Sequence, residues 1–125
     1  MILVDTSVWI DHLRAGNEQL ARFLKAEQVL IHPFVIGEVA LGSIKQRDIV
    51  IDALYELPRV HVASDSEVLG FIDRQKLFGR GVGYIDAHLL AATRLTAGAA
   101  LWTIDRKLHQ VAEDLDLAMR VGLAD

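Results

Sequence analysis

Residues 1–10 read MILVDTSVWI: an apolar run, Ile2 to Val4, meets a carboxylate, Asp5, and then two hydroxyls, Thr6 and Ser7. A short apolar run of this kind is how a strand buried on both faces reads. From Ser7 to Arg14 the apolar positions take helical spacing instead. The stretch is therefore a strand, a turn and a helix, with Asp5 at the strand's carboxyl end. It is the first half of a βα unit, and the fold expectation grows from it.

The pattern repeats along the chain. Apolar or β-branched runs at Val29–His32, Val60–Ala63 and Ala99–Ile104 predict further buried strands, with Met119–Val121 as a weak last edge strand. Helical spacing separates them at Glu18–Ala26, Val35–Lys45, Arg47–Leu57, Ser66–Phe78, Tyr84–Thr96 and Arg106–Leu115. Pro33 stands just before one helix, Pro58 closes another, and Ser64–Asp65 supply cap residues. Strands alternating with helices predict an α/β fold with a central parallel sheet covered on both sides. No internal repeat and no linker divides residues 1–125, so a single domain is expected.

Composition narrows the function classes. At 125 residues and 52% hydrophobic, with 2 Pro and 9 Gly, the chain has the makings of one well-packed soluble domain rather than a disordered segment. It contains no Cys, which removes disulfides, thiolate metal sites and cysteine nucleophiles and suits a reducing cytoplasm. Asp5 interrupts the first apolar run, so neither a signal peptide nor a membrane span is expected. The net charge of -4 argues against binding nucleic acid through an overall basic surface, but a carboxylate cluster neutralised by a cation would not count against a polyanion.

Four carboxylates stand apart from the other acidic residues because apolar side chains crowd them. They are Asp5 in ILVDTSVWI, Glu38 in FVIGEVALG, Asp86 in GYIDAHLLAA and Asp105 in LWTIDRKL. Asp5 and Asp105 follow predicted strands, while Glu38 and Asp86 fall in the first turns of predicted helices. In a parallel βα arrangement all four reach the carboxyl edge of the sheet, where such folds bind ligands. Singly, Asp105 reads as a helix cap and Glu38 as a first-turn carboxylate favoured by the helix dipole. Jointly they repel one another, and burial adds several kcal/mol unless a positive group offsets it. Ligands that are all oxygen suit a hard cation such as Mg2+ or Mn2+, with Ser7 or Thr103 adding a hydroxyl. Thr6 or Ser7 can also cap the first helix.

On these residues the sequence resembles the PIN domain family, specifically the VapC toxins of bacterial toxin–antitoxin systems. The likeness runs through ILVDTSVWIDHLR, GEVALG, GRGVGYIDAHLLAA and LWTIDRKL, in that order and across the whole chain. It implies a three-layer α/β/α fold and a Mg2+-dependent endoribonuclease. Asp5, Glu38 and Asp86 match the family's three acidic positions, Asp105 its more variable fourth, and Thr103 a hydroxyl of the same motif. It further implies a homodimer neutralised by a small VapB-type antitoxin, and transfer RNA or a ribosomal RNA loop as substrate. One departure is that the family often carries another acid soon after its fourth, whereas Asp105 is followed by Arg106 and Lys107.

Such a site would hydrolyse a phosphodiester with metal-activated water, giving 5′-phosphate and 3′-hydroxyl ends and no covalent intermediate. Arg14, Lys76, Arg80 and Arg106 are the basic residues nearest the motifs and the candidates for phosphate contacts. Trp9 and Trp102 are candidates for base stacking or for packing. His88, two residues after Asp86, turns away from that side chain on a helix and reads as structural. Two other readings compete. A phosphorelay receiver domain has the size and alternation but would need a second acid after the first strand and an Asp ending the RVHVAS run, and both are missing. A catalytically inactive PIN-like binding module would keep the same residues without the chemistry.

Overall fold

In the computed structural model, which describes residues 1–120, β1 (Ile2–Val4) lies at the centre of a parallel sheet. It pairs with β2 (Val29–Leu30) on one side and β3 (Ala100–Trp102) on the other, in the order β2-β1-β3. Ile2 faces Val29 and Ala100 across the ladder, and Leu3 faces Leu30 and Leu101. Leu3, Val4 and Leu101 are wholly buried, which is why these strands read as unbroken apolar runs rather than as alternation. Parallel bridges extend the sheet beyond both edges, from Ile31 to Arg59 and from Leu101 to Ala118.

Seven helices fill the connections among the described residues: α1 (Thr6–Ala15), α2 (Glu18–Lys25), α3 (Pro33–Ala40), α4 (Arg47–Tyr55), α5 (Asp65–Gln75), α6 (Tyr84–Leu95) and α7 (Arg106–Asp114). Parallel crossovers are right-handed, so the direction of each step across the sheet fixes the face its helices cover. From β1 the chain steps outward through β2 to Arg59, placing α1 to α4 on one face. It then crosses back past β1 to β3 and on to Ala118, placing α5 to α7 on the other. The packing follows that division, with α3 against α1 and α4, and α5 against α6. The result is the expected three-layer α/β/α fold. The reversal of direction lies between β1 and β3, the position where open parallel sheets bind ligands.

Several boundaries differ from the sequence reading. The helix expected over Val35–Lys45 begins at Pro33, in the first helical position that proline favours, and ends at Ala40 before a turn at Gly42. Glu38 therefore sits in the second turn of its helix, not the first. The strand expected at Val60–Ala63 is reduced to the bridge at Arg59. There the Val60 N–H still donates to the Ile31 carbonyl, but the His61 N–H turns to Thr96 Oγ1 and Val62 points outward. The last edge strand survives only as the Leu101–Ala118 bridge, with Met119 donating to the Leu101 carbonyl. Val121 lies outside the described residues. No helix among the described residues is long and apolar enough to cross a membrane.

Candidate active site

The ends of β1 and β3 are tied together by a carboxylate and two hydroxyls. Asp5 is 6% exposed, and its Oδ2 accepts hydrogen bonds from Ser7 Oγ at 2.6 Å and Thr103 Oγ1 at 2.7 Å. Those hydroxyls are themselves oriented by backbone donors, the Ile104 N–H reaching Ser7 Oγ and the Asp105 N–H reaching Thr103 Oγ1. Charge-assisted bonds of this kind are short and hold an anion in one rotamer. Asp5 occupies the N-cap position of α1 without a side-chain capping bond. The expectation that Thr6 or Ser7 caps this helix is not met, because both hydroxyls are taken up by carboxylates.

Thr6 Oγ1 donates to Glu38 Oε1 at 2.8 Å and so links α1 to α3. Asp86, in the first turn of α6, folds back so that its Oδ2 accepts the Gly83 N–H at 2.9 Å. Asp105 caps α7, its Oδ1 accepting the Leu108 N–H at 3.0 Å. The helix-cap reading of Asp105 is thus correct, yet the same side chain stands close enough to Asp86 to act on its charge. Burial raises the Asp86 pKa above the usual carboxylate range, the Gly83 hydrogen bond opposes this, and the charges of Asp5, Asp105 and Glu38 raise it further. All four carboxylates share one electrostatic neighbourhood.

Each of the four carboxylates has one oxygen engaged by a donor of the protein. The second oxygen, Oδ1 of Asp5 and Asp86, Oδ2 of Asp105 and Oε2 of Glu38, accepts from no described residue. The donor set is all oxygen, which fits a hard divalent cation. Among the described residues no three acidic or histidine side chains stand close enough, in this arrangement, to ligate one ion together.

The basic candidates divide. Arg80 is committed to Asp114 at 2.6 Å and straps its loop to α7. Arg14, Lys76 and Arg106 are exposed, at the end of α1, the end of α5 and the start of α7, and none forms an ion pair with a described residue. Trp9 is 4% exposed in the core and offers no free stacking face, while half-buried Trp102 packs against Phe23 at 5.9 Å. His88 is buried between the rings of Phe34 and Tyr84, each 4.7 Å away.

Three features escaped the sequence reading. The Gly83 N–H that holds Asp86 has no side-chain signature. Lys107 lies across Gly81, whose φ of 81° favours glycine and where a Cβ would come within 2.8 Å of Lys107 Cδ. The spaced glycines Gly79, Gly81 and Gly83 were its only trace in the sequence. Tyr84, beside Asp86, carries an exposed ring fixed by its hydroxyl on Asp65 at 2.9 Å.

Comparison with known proteins places the chain in a family. The model of the PIN domain family matches residues 2–114. Ribonuclease VapC32 of Mycobacterium tuberculosis, from strain CDC 1551 / Oshkosh and from strain ATCC 25618 / H37Rv, is 48% identical over 119 residues, 95% of this chain and 96% of the relative. The chain belongs to the PIN domain family, and within it to the VapC type.

Proposed function

We propose that the chain is a Mg2+-dependent endoribonuclease, the toxin of a type II toxin–antitoxin module, which hydrolyses RNA phosphodiester bonds and thereby inhibits translation and growth. One observation carries the reading: Asp5, Asp105 and Glu38 act on the charge of Asp86, and each of the four has one oxygen bound by the protein and one left over. The 48% identical relative is named as a ribonuclease, which supports the same activity.

Asp5, Glu38, Asp86 and Asp105 would hold the ion, which when bound supplies an activated water and neutralises charge on the scissile phosphate. The chain's own contribution is orientation. Ser7 and Thr103 hold Asp5, Thr6 holds Glu38, and the Gly83 N–H holds Asp86, each through one oxygen. Burial and the neighbouring carboxylates raise the proton affinity of Asp86, so a nearby positive charge would favour its ionised form. Exposed Arg14, Lys76 and Arg106 are available to position the RNA backbone, a role that does not itself select sequence. Arg80, paired with Asp114 at 2.6 Å, would have to exchange that partner to contact a phosphate. On this reading the partners are a transfer or ribosomal RNA, a VapB-type antitoxin and a second copy of the chain, in the cytoplasm.

The test is incubation of antitoxin-free protein with total cellular RNA in Mg2+, in Mn2+ and in EDTA, beside Asp86→Asn. Discrete fragments with 5′-phosphate ends, absent in EDTA and with the variant, are expected. Ends carrying 2′,3′-cyclic phosphate, or cleavage that survives EDTA, contradict the proposal. A folded, metal-binding protein that cuts no RNA points to the inactive binding module.

A further inference from the structure

Residues 76–83 join α5 to α6 and include three glycines, two of which, Gly79 and Gly81, stand at φ 77° and 81°. Such a segment has many conformations open to it and few side chains of its own to choose among them. Yet it ends on the Gly83 N–H, the donor that holds Asp86 Oδ2 at 2.9 Å. Whatever fixes this loop therefore bears on one of the four carboxylates.

Two contacts with α7 fix it. Arg80 Nη2 donates to Asp114 Oδ2 at 2.6 Å, and Asp114 Oδ1 accepts in turn from Gln110 Nε2 at 3.0 Å. Arg80 first and Gln110 second hold the Asp114 carboxyl below its usual range. The Lys107 stem lies over Gly81, so close that a Cβ there would come within 2.8 Å of Lys107 Cδ. Lys107, Gln110 and Asp114 follow one another at helical spacings of three and four, so one stripe of α7 meets the loop. A carboxylate in the last turn of a helix opposes the macrodipole, so Asp114 gives α7 itself nothing there, and its use is as a partner for Arg80. At its other end α7 is capped by Asp105, two residues before Lys107, and the charge of Asp105 is one of those that act on Asp86. The loop holds one acid, and the helix it docks on begins at another.

We infer that Arg80 is a positioning residue: through its ion pair with Asp114 it clamps the glycine loop onto α7, and so sets where Asp86 stands relative to Asp105. It acts on the site without touching metal or RNA. The inference deepens the metal-dependent reading above and rests on it for two of its three readouts.

The test compares the wild type with Arg80→Met, with Asp114→Ala, with both together, and with the exchanged pair Arg80→Asp and Asp114→Arg, each checked for folding by circular dichroism. Mn2+ binding is followed by electron paramagnetic resonance without RNA, KM and kcat are measured on the best-cut RNA, and 15N relaxation gives order parameters for the amides of residues 79–83. The pair is partly exposed, and such a pair is worth up to roughly fivefold in an equilibrium. Each single variant is therefore expected to weaken Mn2+ binding by roughly two- to fivefold. Because a misplacement of about 1 Å costs up to about 100-fold in rate, kcat should fall by about tenfold or more with KM nearly unchanged. The double variant should be no worse than either single one, since all three lose the same pair. The exchanged pair should recover Mn2+ affinity and kcat, although a carboxylate in the loop cannot bind a phosphate. If Arg80→Met raises KM while Asp114→Ala leaves kcat and Mn2+ affinity intact, Arg80 is a phosphate contact and the clamp is overturned, as it is by an exchanged pair that recovers nothing. In protein free of metal and RNA, order parameters of about 0.85 are expected at Gly81 and Gly83 in the wild type, falling toward about 0.6 or below in each single variant. Values already below about 0.6 in the wild type, or unchanged in both single variants, overturn the clamp. That readout decides even where the wild type binds no Mn2+ and cuts no RNA, a result that strikes the metal-dependent reading alone.

Discussion

A carboxylate at the end of a buried strand has to be held by something, and Asp5 is held by Ser7 and Thr103 through one oxygen alone. Thr103→Val keeps the shape of the side chain and removes the donor. It should destabilise the fold by about 1–3 kcal/mol, the scale of a buried charge losing a hydrogen bond, as read in a urea titration. Asp86 behaves in the opposite sense. Its folded pKa is raised, so the folded chain binds a proton more readily than the unfolded chain, and ionised Asp86 costs stability that returns as pH falls through the raised value. Asp86→Asn can still accept the Gly83 N–H and no longer carries the charge. In EDTA near neutral pH the variant should melt above the wild type, and melting below it would contradict this account. At this scale the sequence was informative, because an Asp or Glu among apolar neighbours is visible without coordinates. The ion pair between Arg80 and Asp114 was not visible, since its partner lies 34 residues away on another element.

Elements fix which way these side chains face, and their ends carry most of the errors of the sequence reading. Pro33 is the first residue of α3 rather than its preceding turn, which moves Glu38 on by half a turn or so and onto the face that meets Thr6. The same helix is capped by His32, whose Nδ1 accepts the Phe34 N–H at 3.0 Å. His32 is wholly buried, and burial, followed by the neighbouring His88 and Arg59, lowers its pKa from 6.5 to about 4. Unfolded chains therefore take up a proton below pH 6.5 that the folded chain refuses until about pH 4. Stability from this group is complete above that window and is lost as pH falls through it, by roughly 1.4 kcal/mol per unit. Asn also caps helices and does not titrate in this range, so His32→Asn should flatten the acid limb between pH 6.5 and 4 in a series of melting curves. An unchanged acid limb would show that other groups govern it. Nothing in the local sequence announced a capping histidine, because Pro after His reads first as a turn.

Over the whole molecule, alternation of apolar runs with helical spacing was enough to give the α/β class, and the faces that the helices cover followed from handedness once the strand order was known. The parts that were not legible are those decided by distant partners. Val60–Ala63 has the composition of a strand, but Thr96 takes the His61 N–H and ends the ladder after one bridge. That the four acids lie at one edge of the sheet was a topological expectation, whereas the division of each carboxylate into one bound and one available oxygen needed the structure. That division is the centre of the account, and it makes a claim about the folded chain independent of any RNA. Its most direct test is a titration of metal-free protein with Mn2+ followed by electron paramagnetic resonance, repeated with competing Mg2+ and with Asp5→Asn and Asp86→Asn. Saturable binding that Mg2+ displaces and that either substitution weakens by tenfold or more is the predicted result. No saturable binding by the folded protein, or binding that both substitutions leave untouched, would contradict the assignment of these carboxylates to a metal site.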